Sequence, residues 1–452
     1  MALDQFRKYI PASRDEVLSQ IDDMDVRYIL LWFTDILGAV KSVMIPSARM
    51  ATVIDNGLAF DGSAIEGFAR VAESDMLLVP DLSTFVVLPW SQDNERTARV
   101  ICTIHTPDGE PFRGDPRYAL QRALSMAQEM GFNYNTGLEL EFFVFFTDEY
   151  GKPRFQAAQD TAAYFDLSNE PAQAVRGDML STLSELGISV DKAHSETGRG
   201  QHEIDLAYCD AMVTADQLVT TRVALKTVAQ HRDLYCTFMP RPIAEMPGSG
   251  LHTHQSLHNA ATGENAFYDP NQPYNLSETA QHFLAGQLAH AGAICAVLAP
   301  LVNSYKRLGT SFEAPVYVTW AHINRGALVR VPGIGRGQGE HTRLEMRCAD
   351  PSTNPYLAQA VLLMAGLEGI RQKTPLPEAR EESLLTRPAR RQIDTLPSSL
   401  GVALDVLSTD DVILNALGPY IGDRYITAKR QEYDDYNNQI TDWELDQYLS
   451  RF

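Results

Sequence analysis

Two glutamates stand two residues apart in an otherwise apolar run, Gly137-Leu138-Glu139-Leu140-Glu141-Phe142-Phe143-Val144-Phe145-Phe146. The run is rich in aromatic residues and reads as a buried strand. Period-2 geometry sends Glu139 and Glu141 to one face. A carboxylate taken out of water without a partner costs several kcal/mol, so this pair demands cations, protons or strong donors. The stretch alone leaves two readings open: salt-bridged strand glutamates, or ligands for divalent metal ions.

Downstream residues bear on that choice. Glu196 and Glu203 bracket a glycine-bearing loop, and Glu203 follows His202. In Gly248-Ser249-Gly250-Leu251-His252-Thr253-His254-Gln255-Ser256-Leu257, alternation puts His252, His254 and Ser256 on one face of a strand. Glu345 and Arg347 share a face likewise, with Arg343 two residues earlier. Taken singly, His-x-His is more often structural, and Arg-x-Glu-x-Arg more often a cross-strand ladder of ion pairs. Taken together they supply five carboxylates and one or two imidazoles on strand-like segments. Such an oxygen-rich set with little nitrogen suits Mg2+ or Mn2+ better than structural zinc.

A second constellation is cationic. Arg307, Arg325, Arg330, Arg343 and Arg347, with Lys306, fall among Val, Leu, Ala and Pro. That setting argues for semi-buried guanidinium groups, which bind carboxylates and phosphates bidentately. Metals with arginines point to phosphoryl transfer from a nucleotide to a small acid. There is no G-x-x-x-x-G-K-[ST] loop. The glycine-rich stretch from Gly333 to Gly339 leads into a strand rather than a helix, a poor dinucleotide fingerprint that reads as a mobile loop.

Composition sets the bounds. The chain has 452 residues, 44% of them hydrophobic, and 58 acidic against 38 basic residues give a net charge of -20. That balance argues against nonspecific nucleic-acid binding and against attachment to anionic membranes. Five scattered cysteines, none in a C-x-x-C pair, read as reduced thiols of a cytoplasmic protein. The most apolar long run, Phe283 to Leu301, contains Gln287 and His290 and reads as a core helix.

The elements that must position these residues are legible in order. A short amphipathic helix covers 14–24, and a hairpin pairs Val26–Asp35 with Ala39–Pro46. A helix-like piece runs from Ser47 to about Asn56, Phe60 to Gly67 is a loop, and strands fall at 76–90 and 98–104. Residues 1–112 form a small N-terminal α+β domain, closing where Pro and Gly cluster between Pro107 and Gly114. In the larger domain, 113–452, helices are expected at Arg117–Gly131, 172–187, Asp216–Asp233 and, as one long helix, Ser277–Ala299. Strands are expected at Val316–Thr319, Leu328–Val331 and Arg343–Arg347, with mainly helix beyond Asn354.

The ordered fragments resemble glutamine synthetase of the bacterial type I class, from roughly residue 20 to the C-terminus. The motifs are Phe60-Asp61-Gly62-Ser63, Glu139-Leu140-Glu141-Phe142-Phe143, Gly200-Gln201-His202-Glu203, Met246-Pro247-Gly248-Ser249-Gly250-Leu251-His252, Asn303-Ser304-Tyr305-Lys306-Arg307, Asn324-Arg325 and Asp350-Pro351-Ser352-Thr353-Asn354-Pro355-Tyr356-Leu357. The resemblance implies an α+β fold: an N-terminal β-grasp domain plus a catalytic domain with a curved antiparallel sheet and helices. It implies a cytoplasmic dodecamer of two hexameric rings with sites between subunits. It also implies ATP-dependent ligation of ammonia to the γ-carboxylate of glutamate through γ-glutamyl phosphate, with two or more Mg2+ or Mn2+ ions per site.

By position, the resemblance assigns Glu141, Glu196 and Glu203 to the metal nearer glutamate, and Glu139, His252 and Glu345 to the metal on the nucleotide phosphates. Arg325 and Arg347 would stabilise the transferring phosphoryl group, with Arg330 along the phosphates. Gly248, Arg307, Arg347 and Glu313 would bind glutamate; Tyr208, His254, Ser256 and Arg343 would contact ATP. Asp61, from a neighbouring subunit, and Glu313, on a flap, would bind ammonium and take its proton. A closed flap also keeps water from the acyl phosphate.

The sequence departs from the family pattern at the flap, Thr310-Ser311-Phe312-Glu313-Ala314-Pro315, where the family commonly has Pro-Gly-Tyr-Glu-Ala-Pro. It departs also at Ala64, Pro247 and Glu340. These changes bear on the identity of the amine, and a γ-glutamyl ligase for a polyamine, ethanolamine or methylamine is the alternative reading. Lys373 to Leu396 contains no tyrosine, so control by adenylylation is not expected. Arg70 matches an arginine tied to glutamine feedback in the shorter subtype.

Overall fold

The computed structural model describes residues 13–65, 75–158, 162, 164–167, 170–309, 314–335, 337–381 and 393–452. Arg70, the flap residues Thr310 to Glu313 and much of the stretch Lys373 to Leu396 lie outside them.

The first helix, α1 (Arg14–Asp23), starts at a capping box between Ser13 and Glu16 and buries Val17 and Ile21. A hairpin follows, β1 (Tyr28–Thr34) and β2 (Val40–Pro46), then α2 (Met50–Asn56), β3 (Leu58–Asp61), β4 (Asp75–Val87) and β5 (Thr97–His105). They form a five-stranded sheet in the order β2-β1-β5-β4-β3, with only β1 and β5 parallel. Phe60 and Asp61, expected in a loop, end β3. The strand expected at 76–90 is β4, which ends at Val87 and shifts register against β5 between Asp81 and Val86. Its Pro80 pairs only with β5, beyond the reach of β3, so the missing N–H costs no ladder bond.

The larger unit begins with α3 (Pro116–Glu129), whose N-cap Asp115 accepts from Arg117 N and is followed by Pro at the first helical position. The glutamate-bearing run is the middle of β6 (Phe132–Thr147). After it come β7 (Pro153–Ala158), α4 (Glu170–Glu185), β8 (Val190–Ser195), β9 (Gln201–Asp210), α5 (Ala211–His231), β10 (Leu234–Thr237) and β11 (Leu251–Asn259). Then follow α6 (Glu278–Ala289), α7 (Ala291–Leu298), α8 (Val302–Leu308), β12 (Trp320–Ala321), β13 (Val329–Arg330) and β14 (Leu344–Met346). The chain closes with α9 (Pro355–Gln372), α10 (Leu400–Leu407), α11 (Asp411–Leu417), α12 (Pro419–Asn437) and α13 (Asp442–Tyr448).

The second sheet runs β12-β13-β14-β11-β6-β9-β8, with β7 and β10 on the outer half of β6. It is antiparallel except for the β12–β13 pair. Two expectations are corrected. The run Ser277–Ala299 is two helices, broken at His290 (φ -104, ψ 12), whose ring is tied to the α11 N-cap Asp410 at 2.7 Å. Val316–Thr319 is not a strand: it is paired instead with residues 394–396, through Val318 N to Asp394 O and Leu396 N to Val316 O, as an isolated bridge.

Helix α9 is buried from Pro355 to Leu367 and packs on α6, α3 and α5. Its cap Asn354 also donates to Asp35 O in the β1–β2 turn at 3.0 Å, so one residue starts the helix and anchors the first sheet. Gly38 in that turn (φ +90) lies so close that a Cβ would meet Asn354 Cα at 3.0 Å.

Helices α6 and α9 cross on glycine: a Cβ on Gly286 would meet Ala365 O at 2.2 Å, and one on Gly369 would meet His282 O at 2.1 Å. Gly286→Ala and Gly369→Ala should each lower the thermal midpoint, by about 1–3 kcal/mol of overpacking. Gly177→Ala on the exposed face of α4, where a Cβ meets nothing within 4 Å, should raise it by up to about 1 kcal/mol. Equal effects at buried and exposed glycines would contradict the packing account.

Candidate active site

Strand register turns scattered residues into rows, because directly opposed residues share a face. Glu141 lies opposite Glu203, and Glu203 opposite His194. One step along the face, His252 lies opposite Glu139, Glu139 opposite Asp205, and Asp205 opposite Lys192. One step further, Arg330 lies opposite Glu345, Glu345 opposite His254, and His254 opposite Gly137. Gly137 is needed there: a Cβ would stand 2.9 Å from the Tyr208 ring.

The acids divide by what balances them. Burial pushes the Glu139 carboxyl up, but His252 Nδ1 at 2.8 Å and His254 Nε2 at 2.9 Å outweigh it and hold the group well below its usual range. Glu345, fully buried, is also held low: burial is overcome by Arg347, whose guanidinium grips one oxygen, while Arg330 takes the other at 2.5 Å. Glu203 goes the other way, raised by burial and by the charges of Glu141, Glu139 and Asp205. Glu196 is likewise raised by burial and Glu141. Glu141 anchors one oxygen on Gly250 N (2.9 Å) and Gln201 Nε2 (3.1 Å), while the other faces His252 Nε2 at 3.8 Å.

The donor set fits divalent cations. Ligand atoms of Glu139, His252 and Glu345 all lie within 4.8 Å of one another. So do those of His194, Glu196 and Glu203, and those of Glu139, Glu203 and Asp205. These spreads suit ions with bonds of about 2.0–2.6 Å. The first group is the trio expected for one metal. In the second, Glu196 and Glu203 meet as expected, but His194 completes the tight group while Glu141 faces Glu203 from the neighbouring strand. His194, Asp205 and Lys192 were not singled out from sequence; only knowledge that β8 pairs with β9 could have found them.

Around the acids is a cleft of about 1230 Å³. Arg307, Arg325, Arg330, Arg343 and Arg347 all line it. Arg307 is buried, donating to the carbonyls of Arg347, Cys348 and Ala349, and its stem presses on Gly248 where a Cβ would meet it at 2.9 Å. Buried Arg347 Nε has no hydrogen-bond partner, a donor spare for an anion. The four residues expected at the nucleotide also meet: Tyr208 OH is 2.6 Å from Ser256 Oγ, and Arg343 Nε donates to His254 Nδ1 at 3.2 Å. Asp61 does not line this cleft; its Oδ1 accepts from Ser63 N at 3.0 Å. Glu313 lies outside the described residues.

A family model described as "Glutamine synthetase, beta-Grasp domain" matches residues 25–107, and "Glutamine synthetase, catalytic domain" matches 113–448. Curated glutamine synthetases of Thermus thermophilus and Clostridium saccharobutylicum are 45% and 42% identical, each over 97% of this chain and 99% of the relative. That of Staphylococcus aureus is 42% identical over the same shares. A solved structure titled "GmaS/ADP complex-Conformation 1" superposes with a TM-score of 0.86 at 32% identity, covering 96% of this chain and 99% of the other.

Burial and the charge of Glu141 favour the protonated forms of Glu196 and Glu203, so a cation competes with protons there. Because their folded-state pKa values lie above the ordinary 4.5, the unfolded chain ionises first, and the cation-free protein loses stability as pH rises from there. A bound cation reverses this, so the thermal shift given by Mg2+ should grow between pH 6 and 8. Each chain should release about one proton or more on binding at pH 7. A pH-independent shift with no proton release would contradict the assignment.

Proposed function

The chain belongs to the glutamine synthetase family, and we propose that it joins ammonia to the γ-carboxylate of glutamate with ATP as cosubstrate, giving glutamine, ADP and phosphate. The observation that carries this is the face of rowed carboxylates and imidazoles that shares one cleft with five arginines, in a chain 42–45% identical to curated glutamine synthetases over nearly its whole length.

In the first step an oxygen of the γ-carboxylate attacks the γ-phosphorus of ATP and ADP leaves. In the second, ammonia nitrogen attacks the activated carbonyl carbon and phosphate leaves. Glu141, Glu196 and Glu203 would hold one Mg2+ or Mn2+, and Glu139, His252 and Glu345 another. When bound, these ions supply neutralisation of phosphate charge and a template for the reacting oxygens. Arg347 and Arg325 stabilise the transferring phosphoryl group, Arg347 with its spare Nε donor, and Arg330 lies along the phosphates. Arg307 braces Gly248, and together they set the place of glutamate. Tyr208, His254, Ser256 and Arg343 form the nucleotide end.

Asp61 and Glu313 are the acids for ammonium: they bind the cation and accept the proton that frees the lone pair. Since Asp61 does not line the cleft of its own chain, a ring assembly in which a neighbour supplies it is the arrangement we favour, as a dodecamer of two hexamers. Five buried free cysteines, and no helix among the described residues long and apolar enough to cross a membrane, support a cytoplasmic setting. The altered flap sequence keeps ligation of a larger amine as the second reading.

Phosphate release from ATP with glutamate and Mg2+ tests the choice of acceptor. Ammonium should give the highest turnover per unit concentration; a strong amine beside weak ammonium would replace it. Asp61→Ala should leave γ-glutamyl phosphate formation largely intact while glutamine synthesis falls about 10²–10⁴-fold. Equal loss of both steps would remove Asp61 from the ammonium role.

A further inference from the structure

His194 stands at the end of a row, on the strand that borders the site. Its side chain is 10% exposed. The ring is held by Phe165 at 4.4 Å between centroids and by Tyr164 edge-on at 5.7 Å. Nδ1 lies 3.0 Å from Ser195 O. A carbonyl oxygen only accepts, so Nδ1 carries a proton, and the ring nitrogen left for a metal is Nε2. A carbonyl partner on the other ring nitrogen is the arrangement that orients metal-binding histidines.

Nε2 points at Glu203. It is 3.2 Å from Oε1, yet it is buried and makes no hydrogen bond. A buried ring nitrogen left without a hydrogen bond has room for another partner, and Oε1 beside it, 3.5 Å from Lys192 Nζ, is a second donor to the same point. Two ligands of one octahedral ion, each about 2.1 Å from it and at right angles, stand about 3.0 Å apart. The Nε2–Oε1 separation matches that edge, and Glu196 closes the group within 4.8 Å.

The geometry points to His194 as a nitrogen ligand, through Nε2, of the cation held by Glu196 and Glu203. The assignment rests on the metal reading above and extends it: the cluster nearer glutamate then has a nitrogen ligand of its own, as the other cluster has in His252. An imidazole raises the preference of that position for Mn2+ over Mg2+, since Mg2+ favours oxygen donors.

Pulsed electron paramagnetic resonance on the full chain, stripped with chelator and given one equivalent of Mn2+, reads bound nitrogen directly. Replacing natural histidine by 15N-histidine identifies that nitrogen as imidazole. His252→Gln should keep a 15N-sensitive coupling, and the double variant with His194→Gln should lose it. His194→Gln alone should weaken Mn2+ at its site by about 10–100-fold. Since a merely supporting histidine could cost as much affinity, the nitrogen coupling decides. Mn2+ bound to His252→Gln with no nitrogen coupling would overturn the assignment while leaving the metal reading standing. No Mn2+ binding by the wild-type chain would overturn both. Should His252→Gln fail to fold, Mn X-ray absorption on the wild-type chain at two equivalents counts imidazoles. Ligation from both His252 and His194 supports the proposal, and His252 alone overturns it.

Discussion

Glu139, Glu141, Glu196, Glu203, Asp205 and Glu345 stand on one side of one sheet, and the protein balances only some of them. Glu139 has its two histidines and Glu345 its two arginines. Glu196 and Glu203 crowd against Glu141, with half-exposed Lys192 3.5 Å from Glu203 and the imidazole of His194 beside it. Like charges in a half-buried site repel until protons or metal ions join them. That residual imbalance is what the site offers to a cation, and the arginines lining the same cleft are what it offers to phosphate.

Such an arrangement persists only on a rigid support. The strands carrying it are backed by α3 and α5, which pack in turn on a nearly all-buried α9 brought close to α6 by Gly286 and Gly369. The first sheet is bolted to the same helices. Arg117 on α3 binds Asp81 of β4 at 2.7 Å and Asp216 of α5 at 2.8 Å, and Tyr356 of α9 donates to Asp216 at 2.7 Å. This buried network adds little net stability over an apolar core, but it fixes how the units meet. Asp61 belongs to that first sheet, so its position relative to any neighbouring site is set by the same joint.

What the sequence disclosed follows from how far each signal reaches along the chain. Glu139 and Glu141 on one face, and His252, His254 and Ser256 on another strand, were legible because alternation is local. The α3 start at Asp115-Pro116 and the α9 start at Asn354-Pro355 were legible because caps are local too. His194, Asp205 and Lys192 were not, because they matter only through the pairing of β8 with β9, which no local pattern specifies. The break at His290 was hidden for the same reason: its partner Asp410 is 120 residues away. Val316–Thr319 has strand-like composition, but only its contact with 394–396 decides that it forms a bridge and no more. The parallel β12–β13 pair is a tertiary fact of the same kind.

The central claim is that this face is built around bound divalent cations. A crystal of the full chain soaked in Mn2+, with anomalous difference density collected at the Mn edge, tests it most directly. The account predicts one peak among Glu139, His252 and Glu345 and a second at Glu196 and Glu203 beside Glu141. Density elsewhere on the molecule with none on this face would contradict it.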